Sequence, residues 1–258
     1  MSESPKFKNN LATGAMHFKE GLELLTHREL RWYIAVPLVV NVCLFFLLTW
    51  LFIDYYGNAG EWLLSKIPSF LAPLAWIVWI IVGIILLVVY GYSFNIITNI
   101  IAAPFYGKLA ARTEELLTGV APPDEPLGKM IFRVVSREIS KLIYFLSRSI
   151  IVLLLVILLS TIPVLQILAP AVGLAWGAWS MAIQYTDYAA DNHQRGFKPL
   201  RNCLWQKKYS SLGFGGFVML CSIIPVINII AMPAAVIGGT IFWLKELNSC
   251  NVKSNQLG

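Results

Sequence analysis

Residues Phe70–Phe105 read FLAPLAWIVWIIVGIILLVVYGYSFNIITNIIAAPF, 36 consecutive positions without a charged side chain. A bilayer core of roughly 30 Å is crossed by about 20 helical residues. At about 1.5 Å per residue this run reaches roughly 54 Å as a helix. It therefore reads as a membrane-spanning helix that Pro73 introduces, and whose far part, from Tyr92-Ser93-Phe94-Asn95 to Asn99, leaves the lipid. Trp32–Ile53, about 22 uncharged residues, is a second span. It begins too late and runs too long for a cleavable signal peptide. A short polar loop with Asp54, Glu61 and Lys66 joins the two.

The composition agrees. Of 258 residues, 57% are hydrophobic and 13% charged, against about 25% charged in a soluble domain. That excludes an ordinary soluble enzyme, a disordered chain and a disulfide-stapled secreted domain. Cys43, Cys203, Cys221 and Cys250 form no CxxC pair, and His17, His27 and His193 have no metal-ligand spacing, so neither metal nor cofactor is expected. Gly213, Gly215 and Gly216 follow no strand, and there is no Walker lysine, so the chain does not draw on ATP itself. Nucleic acid is not an expected partner; the formal +6 reflects membrane orientation.

The chain is expected to form one membrane domain. An amphipathic N-terminal segment (1–31) precedes the long helices at 32–53 and 70–105. A cytoplasmic helical loop (106–148) and two hairpins (149–186 and 211–244) follow. Thr118-Gly119 and Pro122-Pro123 break the loop. The helix resuming near Leu127 carries Lys129, Arg133, Arg137 and Lys141 at four-residue spacing, hence on one face. That stripe can act as an electrostatic funnel at a pore mouth, or simply meet anionic lipid headgroups or acidic neighbours such as Glu114, Glu115 and Glu138. Asp187 and Asp191, also four apart, are expected to pair with Arg195, Lys198 or Arg201.

The hairpins are a repeat. Ile162-Pro163-Val164-Leu165-Gln166 recurs as Ile224-Pro225-Val226-Ile227-Asn228, and each copy is followed by a second proline-broken apolar stretch. The inbound arms, Ser149–Thr161 and Leu212–Ile224, hold only about 13 residues each, too few to cross comfortably. Two short proline-interrupted segments in corresponding positions point to partly inserted hairpins and to a transport site. Four ordinary helices with tight proline turns are the competing reading. The fold class is thus an all-α integral membrane protein with two long transmembrane helices and two proline-turned, partly inserted hairpins.

Nineteen of the twenty Lys and Arg residues fall on one side of this arrangement, and only Lys66 on the other. The positive-inside rule makes the rich side, with both termini, cytoplasmic.

Several stretches together resemble the CysZ family of bacterial sulfate permeases. These are Gly21-Leu22-Glu23-Leu24-Leu25 leading to Arg31, Pro37 and Asn41; Ile101-Ala102-Ala103-Pro104-Phe105-Tyr106-Gly107 with Leu117-Thr118-Gly119; Ala182-Ile183-Gln184-Tyr185-Thr186-Asp187-Tyr188 with Asp191-Asn192-His193; and the second hairpin with Met232-Pro233-Ala234-Ala235-Val236. The resemblance covers nearly the whole chain in one register. It implies a multi-pass protein of the bacterial inner (plasma) membrane that takes up sulfate for cysteine biosynthesis, working as a homo-oligomer among membrane lipid. It also places sulfate contacts on the Gly21–Leu25 backbone, including Leu24 and Leu25, and on Arg28 and Arg31.

Sulfate is a dianion, so a site must replace its water with positive charge and directed donors. Arginine forks and unpaired N–H groups at a helix start do this. The stretch Leu25-Thr26-His27-Arg28-Glu29-Leu30-Arg31 offers both if Thr26 caps the first span with Glu29 three residues on. The plainer reading is that these arginines only mark the cytoplasmic end of the span. Candidate sulfate residues are therefore Leu24, Leu25, Thr26, His27, Arg28 and Arg31, with Glu114, Arg133, Arg137 and Lys141 as funnel or pore candidates. Sulfite and thiosulfate share the chemistry. A dianion entering a negative cytoplasm faces about 4.6 kcal/mol per 100 mV, so uptake is either driven by consumption or coupled to protons through a residue such as Glu114 or Asp187. The alternative function is a non-transporting scaffold or regulator of another sulfur-assimilation component. No nucleophile, base or metal constellation points to an enzyme.

Overall fold

The computed structural model describes residues 8–66, 68, 72–123 and 125–251. The expected start of the second long run, at Phe70, lies outside them. The described residues form eight α-helices in order: α1 (Leu11–Leu24), α2 (Arg31–Lys66), α3 (Ala72–Thr118), α4 (Leu127–Thr161), α5 (Ala169–Asn192), α6 (Phe197–Gln206), α7 (Lys208–Ser222) and α8 (Pro225–Phe242). A 3-10 turn at Leu165–Leu168 precedes α5, and π and 3-10 turns follow α8. No strand occurs among the described residues. Among the described residues five segments, in α2, α3, α4, Leu165–Asn192 and Ile227–Leu247, are long and apolar enough to cross a membrane. The all-α membrane class follows directly.

The chain, expected as one domain, divides into two compact units: Val36–Ala102, and the remainder on either side of it. Within the first unit α2 and α3 pair. Thr49 and Tyr90 share a hydroxyl hydrogen bond of 2.6 Å, and the Tyr56 ring stacks on Trp79 at 4.4 Å while its hydroxyl donates to the Trp79 carbonyl. Phe46, Trp50, Ile53, Ile84 and Leu87 stay exposed, as lipid-facing side chains must. Pro37 and Pro104 sit inside α2 and α3 without ending them, which membrane helices tolerate.

Three boundaries drawn from the charge pattern fall inside helices. α2 runs on past Ile53 through Asp54 and Glu61 to Lys66, so the expected polar loop is the last part of that helix. α3 continues past Phe105 to Thr118, where Gly119 at φ +73° stops it and the Thr118 hydroxyl accepts the Val120 N–H. α4 begins at Leu127 as its sequence predicts, but runs unbroken through Arg148 and Ser149 to Thr161. The basic helix and the first hairpin arm are one element, because nothing between Lys141 and Ile150 breaks a helix.

The repeat is visible in the backbone. Ile162 (φ −99°, ψ 116°) and Ile224 (φ −93°, ψ 114°) adopt the same extended conformation. Each carbonyl accepts an N–H from the polar amide residue four positions on, Gln166 at 3.2 Å and Asn228 at 2.8 Å.

The core of the larger unit is built by α5 against α4, α7 and α8, with α1 laid over α7 and α8. Close approach sets two of its glycines. A Cβ on Gly21 would stand 2.4 Å from the Ala234 carbonyl oxygen, and one on Gly215 only 1.8 Å from that of Ala178. Asn9 ties the amino end of α1 to α7 by accepting the N–H groups of Tyr209 and Ser210. Buried His17 on α1 meets Glu246 at 2.8 Å, beside Lys207.

Candidate anion-binding site

Thr26, His27, Arg28, Glu29 and Arg31 are all exposed and lie between α1 and the start of α2. Leu30, fully buried, pins the loop. Thr26 does not cap the first span: α2 opens only at Arg31. The Thr26 hydroxyl faces the Glu23 carbonyl instead, and its own carbonyl accepts from Arg31 Nε at 3.1 Å. Glu29, the second half of the expected capping box, turns away to Arg112 on α3, 2.5 Å from Nη2. An ion pair to a distant helix displaces the local cap.

Leu24 and Leu25 form the carboxyl end of α1, with Leu25 N–H bonded to the Leu22 carbonyl and His27 N–H to that of Leu24. Among the described residues no backbone carbonyl accepts the N–H of Arg28 or Glu29. Nor does either Arg28 or Arg31 have a carboxylate partner there. Gly21 is accounted for by packing against α8.

Glu29 and Arg112 link this loop to a cleft of about 340 Å³ lined by Lys108, Arg112, Glu115, Glu125, Arg133 and Asn192 among others. Arg112 also holds Glu115 at 2.5 Å, and Asn192 Nδ2 donates to the Gly107 carbonyl at 2.8 Å. Counting Arg28, Arg31, Lys108, Arg112 and Arg133 against Glu29, Glu115, Glu125 and the Asp191 that pairs with Arg133, cations exceed carboxylates by one. Lys108 and Arg112 escape a local reading of the sequence. Their signal is faint: Lys108, Arg112 and Glu115 recur at three- to four-residue spacing on one face of α3.

The α4 stripe is placed differently. Arg133 pairs with Glu125 and Asp191, Arg137 with Asp187, and Lys141 with Glu138 and Asp187. Asp187, Glu138 and Lys141 are nearly fully buried. The two aspartates thus meet α4, not Arg195, Lys198 or Arg201. Helices α4 and α5 run antiparallel, so acids four apart on one match cations four apart on the other. Glu114 is likewise engaged, by His193 Nε2 at 2.9 Å. Lys129 is exposed, and no carboxylate holds it among the described residues.

An all-α membrane protein, with an under-neutralised cationic loop at the start of one membrane helix and a charged cleft beside it, defines a polytopic protein equipped to meet anions. Residues 17–233 match the model of the family described as Sulfate transporter CysZ/Etoposide-induced protein 2.4, and the chain belongs to that family. It is 38% identical over 246 residues to a sulfate transporter CysZ of Pseudomonas fluorescens, covering 93% of this chain and 96% of that one. Identity to the sulfate transporter CysZ of Salmonella typhimurium is 38% over 236 residues, 90% of this chain and 92% of the relative. For Pectobacterium atrosepticum it is 35% over 249 residues, 94% and 89%.

Proposed function

We propose that the protein is a sulfate permease of the bacterial inner membrane that supplies sulfate for cysteine biosynthesis, with Arg28 and Arg31 as its first sulfate contacts. One observation carries this reading: two exposed arginines, with no carboxylate partner among the described residues, share a loop in which no described backbone carbonyl accepts the Arg28 or Glu29 N–H. Sulfate then receives charged forks and backbone donors together. The adjoining cleft adds Lys108, which no carboxylate holds among the described residues, beside Arg112 and Arg133 in their ion pairs with Glu29, Glu115, Glu125 and Asp191, and continues the anion's path. The α4 stripe, already neutralised by Asp187, Asp191 and Glu138, holds α4 to α5 rather than offering open charge. The relatives named sulfate transporter support the substrate.

The same reading places both termini in the cytoplasm and inserts the hairpins only part-way. Arg148 is the last charge on α4 before a stretch uncharged to Thr186. From there the arm Ser149–Thr161 reaches only about 20 Å, against a core of roughly 30 Å. Two long spans alone make a thin wall for a path, which favours several copies around it. Sulfite and thiosulfate, tetrahedral or pyramidal sulfur oxyanions, fit the same donors.

The test is sulfate binding by calorimetry on purified protein, alongside labelled sulfate flux into proteoliposomes. The double variant R28Q/R31Q is expected to lose binding and flux, while the wild type retains both. Unchanged affinity in the double variant overturns the site, and absence of flux in the wild type favours a scaffold.

A further inference from the structure

Between Asp191 and Glu246 the chain has no acidic residue, yet Arg195, Lys198, Arg201, Lys207 and Lys208 all lie there. Lys207 finds Glu246 at 3.1 Å. For the other four, no carboxylate partner occurs among the described residues. They cluster around α6, a ten-residue amphipathic helix that buries Leu200, Cys203 and Leu204 and turns Lys198, Asn202 and Trp205 outward.

The cations are interleaved with rings. The Arg201 guanidinium lies 4.3 Å from the Tyr144 ring centroid and 4.8 Å from that of Phe197. Lys208 Nζ stands 5.7 Å from the Trp205 ring and 5.2 Å from Tyr209. Trp205 (65% exposed) and Tyr209 (50%) are both open large aromatic side chains, and Trp205 packs edge-on to Trp179 at 5.8 Å. Arg201 Nε is buried and has no acceptor among the described residues. Stacking leaves the edge of the guanidinium available, and no hydrogen-bond acceptor meets it among the described residues.

The sequence fixes the depth of this cluster. From Tyr209 to Leu244 no residue is charged, so Lys207-Lys208 are the last charges before α7 and α8 turn apolar. Trp176 Nε1 donates to Ser149 Oγ at 2.9 Å, next to Arg148, the last charge of α4. Tyr144 lies one turn further out. Exposed Trp and Tyr with Lys and Arg at such a boundary occupy the headgroup level of a bilayer.

We infer that α6 and the start of α7 form a site for an anionic phospholipid, its phosphodiester held by Lys198, Arg201 and Lys208 and its glycerol level flanked by Trp205 and Tyr209. Charge complementarity selects an anionic headgroup over a zwitterionic one. The exposed rings and adjoining apolar helices select a lipid over a soluble anion, whose binding gains nothing from them. The site rests on membrane insertion alone and is independent of the sulfate reading.

Native mass spectrometry of the full-length protein, titrated with phosphatidylglycerol or chain-matched phosphatidylcholine, tests it. Each cation near an anionic headgroup is worth about fivefold in affinity, so K198Q/R201Q/K208Q is expected to bind phosphatidylglycerol about a hundredfold more weakly. Its phosphatidylcholine binding should fall far less, because the choline cation already offsets that lipid's phosphodiester charge. R28Q/R31Q should retain phosphatidylglycerol like the wild type. If the triple variant does not elute as the wild type does in gel filtration, R201Q carries the test, with about a fivefold loss expected and R201K restoring part of it. Undiminished phosphatidylglycerol binding in K198Q/R201Q/K208Q, or in R201Q where that variant carries the test, overturns the site, as does equal affinity of the wild type for both lipids. Displacement of the lipid by inorganic phosphate at matched concentration assigns the surface to a free anion and equally overturns it.

Discussion

Arg137 and Asp187, fifty residues apart, meet in a forked pair: Nη2 and Nε of the guanidinium lie 2.6 and 3.0 Å from the same carboxylate oxygen. Lys141 Nζ approaches the other oxygen at 3.3 Å. Asp187 and Lys141 are each only 1% exposed, so the α4–α5 interface is closed around a charge cluster that water does not screen. Removing one partner of such a buried cluster leaves the others uncompensated, which costs about 3–5 kcal/mol. D187N should therefore melt well below the wild type in detergent, and R137Q/D187N should lose less than the two single variants added together. A D187N melting temperature equal to the wild type's would show the cluster to be energetically idle.

Gly215 and Gly173 make a matched pair. Both lie in helices, but a Cβ on Gly215 strikes the Ala178 carbonyl oxygen at 1.8 Å, while one on Gly173 meets nothing within 4 Å. G215A has to push α7 off α5 and should destabilise by about 3 kcal/mol. G173A only improves helix propensity and should gain up to about 1 kcal/mol. Thermal unfolding of the two variants side by side checks the opposite signs; equal effects would remove the close contact from the account of the core.

Features of the fold that depend on local pattern were legible in the sequence. Charge-free runs located the membrane helices, Thr118-Gly119 ended α3, Leu127 began α4, and the Ile-Pro-Val repeat located two hairpins with matching backbone turns. Features that depend on which helix lies beside which were not. Thr26 and Glu29 have capping-box spacing, but Glu29 is drawn away by Arg112, 83 residues on. Asp187 and Asp191 stand nearest in sequence to Arg195, yet the antiparallel packing of α5 on α4 delivers them to Arg137 and Arg133. Spacing along one helix says which charges share a face; it does not say which face arrives opposite.

Val164, at the tip of the first hairpin, has φ +72° and ψ −44°, a positive-φ conformation that a β-branched residue strongly disfavours. The penalty for such a residue is about 1–2 kcal/mol, partly offset in a glycine variant by the greater entropy of the unfolded chain. V164G should raise stability by about 0.5–1 kcal/mol. Val226, its counterpart in the second copy, lies in the first turn of α8 with no positive φ, so V226G should instead lose about 0.5–1 kcal/mol. Unfolding midpoints measured in the same detergent decide between these signs, and a loss in V164G would remove strain from the description of the tip.

The depth of the hairpins can be read chemically. If Ser149–Thr161 enters from the cytoplasmic side, its reach of about 20 Å leaves the tip roughly 10 Å short of the far face of the core. A protein with its four cysteines replaced by alanine and carrying Gln166→Cys at the tip should then resist a membrane-impermeant maleimide added outside intact cells. Asn58→Cys, exposed in the part of α2 beyond Asp54 that is expected outside, should react. After the membrane is opened with detergent both should label, because Gln166 is exposed on the protein itself. Labelling of Gln166→Cys from outside at the rate of Asn58→Cys would make α4 a full span, consistent with its uninterrupted length, and the hairpin an ordinary pair of crossing helices.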